Sequence, residues 1–98
     1  MTKFEELISS STPVLVDFFA TWCGPCKMMH PILEEVKSKV GEQARVVKVD
    51  VDAYGDLATS YGVRAVPTLM IFKDGELKWR ASGVQMADAI VTELQKWM

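Results

Sequence analysis

Two cysteines in the chain are separated by only two residues, in the run Cys23-Gly24-Pro25-Cys26. Such a pair can bind a metal ion, form a redox-active disulfide, or consist of two unrelated buried thiols. A structural zinc ion takes four ligands, whereas the chain offers two cysteines and one histidine, His30. The apolar run before the pair ends at Ala20, and the loops that follow strands lie at the surface, so two inert buried thiols are not expected. The spacing therefore favours a redox pair.

The position of the pair also suits nucleophilic chemistry. Apolar residues recur at helical spacing over residues 23–40, which places Cys23 at the N-terminal end of a helix. Free N–H groups and the helix dipole favour a thiolate there, and a thiolate attacks disulfides. Cys26 lies one turn further in and can resolve the mixed disulfide that the first attack leaves. Gly24 permits a tight backbone turn, and Pro25 suits a first helical turn, where a missing N–H costs little.

The remaining elements alternate between strands and helices. Near-continuous apolar runs predict strands over residues 14–20 and Arg45–Asp50. Two further strands, 68–72 and 77–81, flank an Asp-Gly pair typical of a hairpin turn. Short helices are expected before the first strand and near residues 54–61, and a last helix over 86–98. A strand–helix–strand unit implies a right-handed crossover and a parallel pair, and hence an α/β fold with helices on both faces of a mixed sheet.

Two helices show a polar or an apolar stripe that predicts how they pack. On helix 23–40 we expect a solvent-facing side, on which His30 pairs with Glu34. On the last helix the apolar side, expected to pack on the sheet, consists of Met86, Ile90, Leu94 and Trp97.

Composition and charge limit the possible functions. The chain has 98 residues, 49% hydrophobic and 24% charged, with a net charge of −2, which fits one globular domain over residues 1–98. No basic stripe suggests nucleic acid as a partner, and no apolar run approaches the roughly 20 residues of a membrane span. The first six residues carry acids where a signal peptide has basic and apolar segments, so we expect a cytoplasmic protein.

Asp17 interrupts the first apolar strand. A carboxylate in this position must be neutralised, paired or in contact with water. It is either a half-exposed strand residue or a buried carboxyl with a raised pKa beneath the cysteines. Lys48, on the second strand, would by itself be interpreted as an ordinary surface lysine.

The segment from Phe18 to Lys27 resembles the active-site segment of the thioredoxin family. The resemblance spans nearly the whole chain, in the expected order. It continues through Pro31, Lys48-Val49-Asp50, Tyr61-Gly62-Val63, Val66-Pro67-Thr68, Phe72-Lys73-Asp74-Gly75 and Ser82-Gly83. It implies a thioredoxin fold with a mixed sheet of about four strands and about four flanking helices. With the strands named A to D in chain order, the implied spatial order is B-A-C-D, with antiparallel pairing at C and D.

One departure from the family pattern has a structural consequence. Thioredoxins usually carry a strand before the first helix, and we expect none here. Strand B, Arg45–Asp50, is then an exposed edge that could pair with another chain. We expect a monomer with weak self-association.

The resemblance also implies roles for individual residues. Asp17 resembles the family's buried acid, which takes the proton of the second cysteine, and Lys48 resembles the lysine that accompanies this acid. Val66-Pro67 resembles the family's cis peptide beside the cysteines, which offers backbone groups to an extended substrate. The implied docking face consists of Trp22, Gly24, Pro25, Val66, Pro67 and Gly83, of which Trp22, Gly24 and Pro25 also tune the redox pair.

The function implied is that of a protein-disulfide reductase. Cys23 attacks the substrate disulfide and Cys26 resolves the mixed disulfide, so that the pair cycles between a dithiol and a Cys23–Cys26 disulfide. No bound cofactor is implied; the partners are disulfide-containing proteins and a thioredoxin reductase. Two alternatives remain open, a disulfide-forming oxidant and a thioredoxin-like binding or assembly subunit with incidental cysteines. Gly24-Pro25 between the cysteines resembles the reducing members.

Overall fold

The chain forms one four-stranded sheet covered by helices, described over residues 1–98 in a computed structural model. The elements are α1 (Lys3–Ile8), β1 (Val14–Phe19), α2 (Gly24–Val40), β2 (Arg45–Asp50), α3 (Gly55–Ser60), β3 (Thr68–Lys73), β4 (Glu76–Ser82) and α4 (Ala87–Gln95). A 3₁₀ turn, Gly41–Gln43, follows α2. Every predicted strand and helix is present within a few residues of its predicted bounds.

The order of the strands in the sheet is β2-β1-β3-β4, which confirms the order B-A-C-D. Strands β1 and β2 are parallel, whereas β3 is antiparallel to both β1 and β4. In the β3–β4 hairpin, Asp74 and Gly75 have φ values of 54° and 81°, the conformation that Asp-Gly turns adopt. Strand β2 lies at the edge, and Val49 is its one buried residue, as the prediction of an exposed edge requires.

The strands alternate their side chains between two apolar layers. On one face the sheet packs against α2 and α4 through Leu15, Met29, Leu33, Val36, Val40, Leu69, Ile71, Ala87, Ile90 and Leu94. On the other face it packs against α1 and α3 through Ile8, Val14, Val16, Phe18, Val49, Ala58, Met70 and Phe72. The two-residue period of a strand explains why neighbours such as Val16 and Asp17 point to opposite layers.

Two side chains lie elsewhere than predicted. His30 is half-buried and does not pair with Glu34, because its Nδ1 lies 2.8 Å from Lys48 Nζ while Glu34 pairs with Lys37. Met86 is 66% exposed instead of packing on the sheet. It is the N-cap of α4, so the buried stripe begins at Ala87.

No helix in the chain combines the length and the apolar character needed to cross a bilayer.

Candidate redox site

The two cysteines lie where β1 leads into α2. Cys23 is the N-cap of α2, with extended backbone angles, and its Sγ accepts a hydrogen bond of 3.1 Å from the Cys26 N–H. Pro25 occupies the first helical turn, where it displaces no helical hydrogen bond. Cys23 and Cys26 are joined by a disulfide, with their Cα atoms 5.2 Å apart. The predicted placement of Cys23 at the helix start is therefore confirmed.

The two sulfurs differ in their surroundings. Cys26 is fully buried, whereas Cys23 keeps 4% of its surface exposed. Cys23 Sγ also lies 3.6 Å from the backbone carbonyl oxygen of Val66. A partner approaching from outside therefore meets Cys23 first.

Gly24 does not have the conformational role that the sequence predicted. It is the first residue of α2, and its φ is not positive. A Cβ built on Gly24 meets no atom within 4 Å. Neither a tight turn nor a close contact inside the chain requires glycine here. The prediction of a turn-forming role was wrong because the turn is completed before Gly24, where the Cys23 N–H donates to the Ala20 carbonyl at 3.2 Å.

The loop before β3 lies against the cysteines. The Val66–Pro67 peptide bond is cis, which confirms that implied feature. The Thr68 hydroxyl donates to the Ala65 carbonyl at 2.6 Å, and the Gly83 N–H donates to the Pro67 carbonyl at 2.9 Å. These bonds hold Val66, Pro67 and Gly83 together, with the Val66 carbonyl next to Cys23 Sγ. Val66 and Gly83 are partly exposed, whereas the ring of Pro67 is buried.

Trp22 lies at the rim of this loop, with 70% of its surface exposed. Its indole Nε1 donates to Asp52 Oδ2 at 2.8 Å. Trp22 and Val66 line one cavity of about 180 Å³, together with Val51, Val63, Arg64 and Ala65. Sequence reasoning missed Asp52; the available signal was an exposed acid just after the end of β2.

Asp17 is fully buried, which excludes the half-exposed alternative. It lies between Leu15 and Phe19 on the face of β1 that α2 covers, since Leu15 packs with α2 and Phe19 packs against the cluster of Ala20 and the two cysteines and against His30 of α2. Neither carboxylate oxygen of Asp17 has a hydrogen-bond partner. Burial raises the pKa of Asp17 from 3.8 to about 6, and the positive charge of Lys48 opposes that rise.

Lys48 is the register partner of Asp17 on β2 and is exposed. Its ammonium does not bond to the Asp17 carboxylate but to the ring of His30, with a Nζ–Nδ1 distance of 2.8 Å. The structure thus places Lys48 beside the acid, as implied, and adds a third residue that the sequence analysis had assigned to solvent.

No group of three or more His, Cys, Asp or Glu side chains is placed to hold a metal ion.

Comparison with known proteins yields a consistent set of relatives. The family model described as Thioredoxin matches residues 1–96. A thioredoxin-like protein of Synechocystis sp. is 52% identical over 91 residues, which cover 93% of this chain and 87% of that protein. A chloroplastic thioredoxin Y of rice is 44% identical over 95 residues, covering 96% of this chain but only 56% of that protein.

A solved structure shows the same fold. A mutant thioredoxin from Halobacterium salinarum superposes with a TM-score of 0.90 at 40% sequence identity. The match covers 99% of this chain and 84% of that one.

Proposed function

Because the chain belongs to the thioredoxin family, it is a thiol–disulfide oxidoreductase, and we propose that Cys23 is its attacking and Cys26 its resolving cysteine. The observation that carries this assignment is the contrast between the two sulfurs. Cys23 caps α2 and keeps some exposed surface, whereas Cys26 is fully enclosed. In the dithiol form, the Cys26 N–H and the positive end of the helix dipole stabilise a thiolate on Cys23.

The first step is attack on the substrate. The Cys23 thiolate attacks one sulfur of a substrate disulfide, the substrate S–S bond breaks, and one substrate thiolate leaves. A mixed disulfide now joins Cys23 to the substrate. In the second step the Cys26 sulfur loses its proton and attacks Cys23 Sγ. The mixed disulfide breaks, the second substrate thiolate leaves, and the Cys23–Cys26 disulfide forms, so that two electrons pass to the substrate.

We assign the proton of Cys26 to Asp17. An acceptor must be ionised at the working pH and still hold a proton well, which a carboxyl with a pKa of about 6 does near neutrality. Asp17 has both oxygens free of other partners, on the face of β1 beneath the start of α2. Lys48 contributes a positive charge that favours the ionised acceptor.

An extended substrate segment is expected to bind beside Cys23. The half-buried Val66 and the exposed Trp22, Gly24 and Pro25 surround the reactive sulfur with largely apolar surface. The main-chain groups of Val66 and the Gly83 carbonyl are offered to the substrate, as strand-like recognition requires, while the bond from the Gly83 N–H to the Pro67 carbonyl holds the two loops together. The absence of any atom near a Gly24 Cβ supports close approach of a partner there.

We propose the reducing direction, with electrons supplied by a thioredoxin reductase and delivered to disulfide-containing proteins. Gly24-Pro25 between the cysteines and the thioredoxin relatives support this direction over that of a disulfide-forming oxidant. A binding or assembly subunit with incidental cysteines is not favoured, because the pair occupies the helix start at disulfide distance. A reducing compartment such as the cytoplasm fits this chemistry. Residues 1–98 are proposed to act as one domain, mainly monomeric, with weak pairing through the β2 edge.

Two matched serine variants test the assignment. With a disulfide-bonded protein substrate, the fully reduced Cys26→Ser variant is expected to accumulate a mixed disulfide, detected by non-reducing electrophoresis and mass spectrometry. Cys23→Ser is expected to form none, and both variants lose catalytic turnover by at least about a thousandfold. Adducts through Cys26 in the Cys23→Ser variant would reverse the roles. Biological activity that survives both substitutions would instead support the binding alternative.

A further inference from the structure

A lysine and a histidine bridge the open edge of the sheet to the active-site helix. Lys48 Nζ, at the end of a side chain from β2, lies 2.8 Å from Nδ1 of His30 on α2. For this contact to be a hydrogen bond, Nδ1 must be the acceptor, because a lysine ammonium has only donors. His30 then carries its ring hydrogen on Nε2. The ammonium of Lys48 is thus tied to α2 one turn beyond Cys26.

The contacts of His30 locate it next to Asp17. Its ring packs edge-on against Phe19, with the centroids 6.0 Å apart. Phe19 follows Asp17 by two residues and lies on the same face of β1, while Lys48 is the register partner of Asp17 on β2. His30 therefore contacts the neighbours of Asp17 both along the strand and across the sheet, and so lies at the edge of the enclosure that holds the carboxylate.

Because the Lys48 ammonium is bonded to His30, it is not paired with the Asp17 carboxylate. A lysine in register with a buried carboxylate is placed to form an ion pair with it, yet neither oxygen of Asp17 has a partner. An unpartnered buried carboxylate is energetically unfavourable, so an unrestrained ammonium would move towards it. In the structure the ammonium goes to His30 instead.

We propose that His30 is a positioning residue, which holds the Lys48 ammonium on α2 and so keeps it out of contact with the Asp17 carboxylate. Lys48 still acts on Asp17 through space, but without a direct bond. The consequence for catalysis rests on the function of Asp17 proposed above, since an acceptor paired directly with an ammonium would be a weaker base for the proton of Cys26.

Among the groups around Asp17, Lys48 is the one whose charge affects the pKa of the carboxyl group. From β3 the register partner is Leu69, and α4 turns Ala87, Ile90 and Leu94 inward. From α2 the neighbours are the uncharged Cys23–Cys26 disulfide and the ring of His30, which contacts Phe19 and Lys48. Lys48 is the one charged group that opposes the burial-induced rise in the pKa of Asp17. Releasing Lys48 from His30 therefore has one expected direction, a lower pKa for Asp17.

The test measures the pKa of Asp17 directly, by NMR titration of its ¹³C-labelled carboxyl group in the oxidised protein. His30→Ala is expected to lower that pKa by about 1, which is tenfold in the proton-binding constant, as Lys48 moves towards the carboxylate. His30→Asn is the matched control, because Asn Oδ1 lies one bond beyond Cγ like His Nδ1 and can accept from Lys48. It is expected to leave the pKa near the wild-type value.

The Lys48→Met background separates positioning from simple cover of the carboxyl group. Lys48→Met alone is expected to raise the pKa of Asp17, and adding His30→Ala is then expected to change it little. An equal fall on His30→Ala with and without Lys48 would show that the ring acts by excluding water, and would overturn the proposal. No fall in the single variant would overturn it as well.

A kinetic measurement distinguishes this inference from the proposed function of Asp17. With His30→Ala, the pH dependence of mixed-disulfide resolution is expected to move to lower pH by the same amount as the pKa of Asp17. A shifted pKa with an unshifted kinetic profile would support the positioning of Lys48 by His30 and contradict the proton-accepting function of Asp17.

Discussion

Strand β1 presents two different surfaces to the two layers of the fold. Towards α1 and α3 it turns Val14, Val16 and Phe18, all apolar and fully buried. Towards α2 it turns Leu15 and then Asp17, which is equally buried but whose two oxygens have no partner. The same strand therefore combines an optimised packing surface with a destabilising acid, one residue apart.

The buried acid on one face of β1 lowers the free energy of unfolding near neutral pH. The folded protein retains the Asp17 proton up to a pH of about 6, whereas an unfolded Asp releases it near 3.8. Since the folded state binds the proton more tightly, the free energy of unfolding falls as the pH rises from about 4 to about 6. Above this range the loss is complete and amounts to about 3 kcal/mol. A cost of this size at one position is expected for a functional residue, not for a packing residue.

The largest stability effect is expected on the apolar layer. Phe18 is fully buried, so Phe18→Ala leaves a cavity in this layer, next to the half-buried Phe4 ring, whose centroid lies 6.3 Å from that of Phe18. We expect the free energy of unfolding to fall by about 3–5 kcal/mol in urea titrations. The rate of disulfide reduction per folded molecule is expected to stay unchanged. A fall of less than about 1 kcal/mol would mean that the layer between β1 and helices α1 and α3 is not well packed, and would contradict the contrast drawn between the two faces of β1.

On the face of β1 that α2 covers, we expect a substitution that raises the free energy of unfolding. Asp17→Asn removes the buried charge, so the variant is expected to be more stable than the wild type by about 3 kcal/mol at pH 8. At pH 4 the folded wild-type carboxyl is protonated and the unfolded one is only partly ionised, so the gain shrinks to below about 1 kcal/mol. Urea unfolding at the two pH values measures the difference. An equal gain at both would attribute the effect to packing instead of charge.

Much of the fold and of the site around β1 could be predicted from the sequence. The apolar run containing Asp17 indicated a buried strand, and helical spacing after Cys23 indicated the N-cap position, because both signals are local. The hairpin followed from Asp74-Gly75 for the same reason. The cis bond before Pro67 came from family resemblance alone, since such bonds are a minority in folded proteins.

The contacts between elements could not be predicted in this way. His30 was assigned to solvent because periodicity shows which face of a helix is polar, but not which strand residue reaches it. Asp52 was missed because its bond to Trp22 joins residues 30 positions apart. Gly24 was given a turn because glycine permits one, although its backbone is ordinary helix.

Two glycines at the site differ in backbone conformation. Gly83 has a φ of 86°, so Gly83→Ala is expected to lower the free energy of unfolding by about 1–2 kcal/mol. Gly24 has no such φ and no close neighbour, so Gly24→Ala is expected to change it by less than about 1 kcal/mol. Thermal unfolding of both variants measures the contrast. Equal losses would contradict the helical conformation of Gly24.

The smallest effect is expected at Trp22. Asp52→Ala removes the 2.8 Å bond that fixes the indole, so KM for a protein disulfide is expected to rise about three- to tenfold with little change in kcat. Asp56→Ala is the matched control, because it removes an exposed acid that makes no bond to Trp22. If both variants raise KM equally, the effect is one of net charge and not of the position of Trp22.

The central claim is that Asp17 serves the second chemical step and not the first. Stopped-flow single-turnover measurements with a disulfide substrate separate attack by Cys23 from resolution by Cys26. For Asp17→Asn at pH 7 we expect attack to stay within about twofold of wild type and resolution to slow by at least about tenfold. If both steps stay unchanged, or slow equally, Asp17 is not the proton acceptor for Cys26.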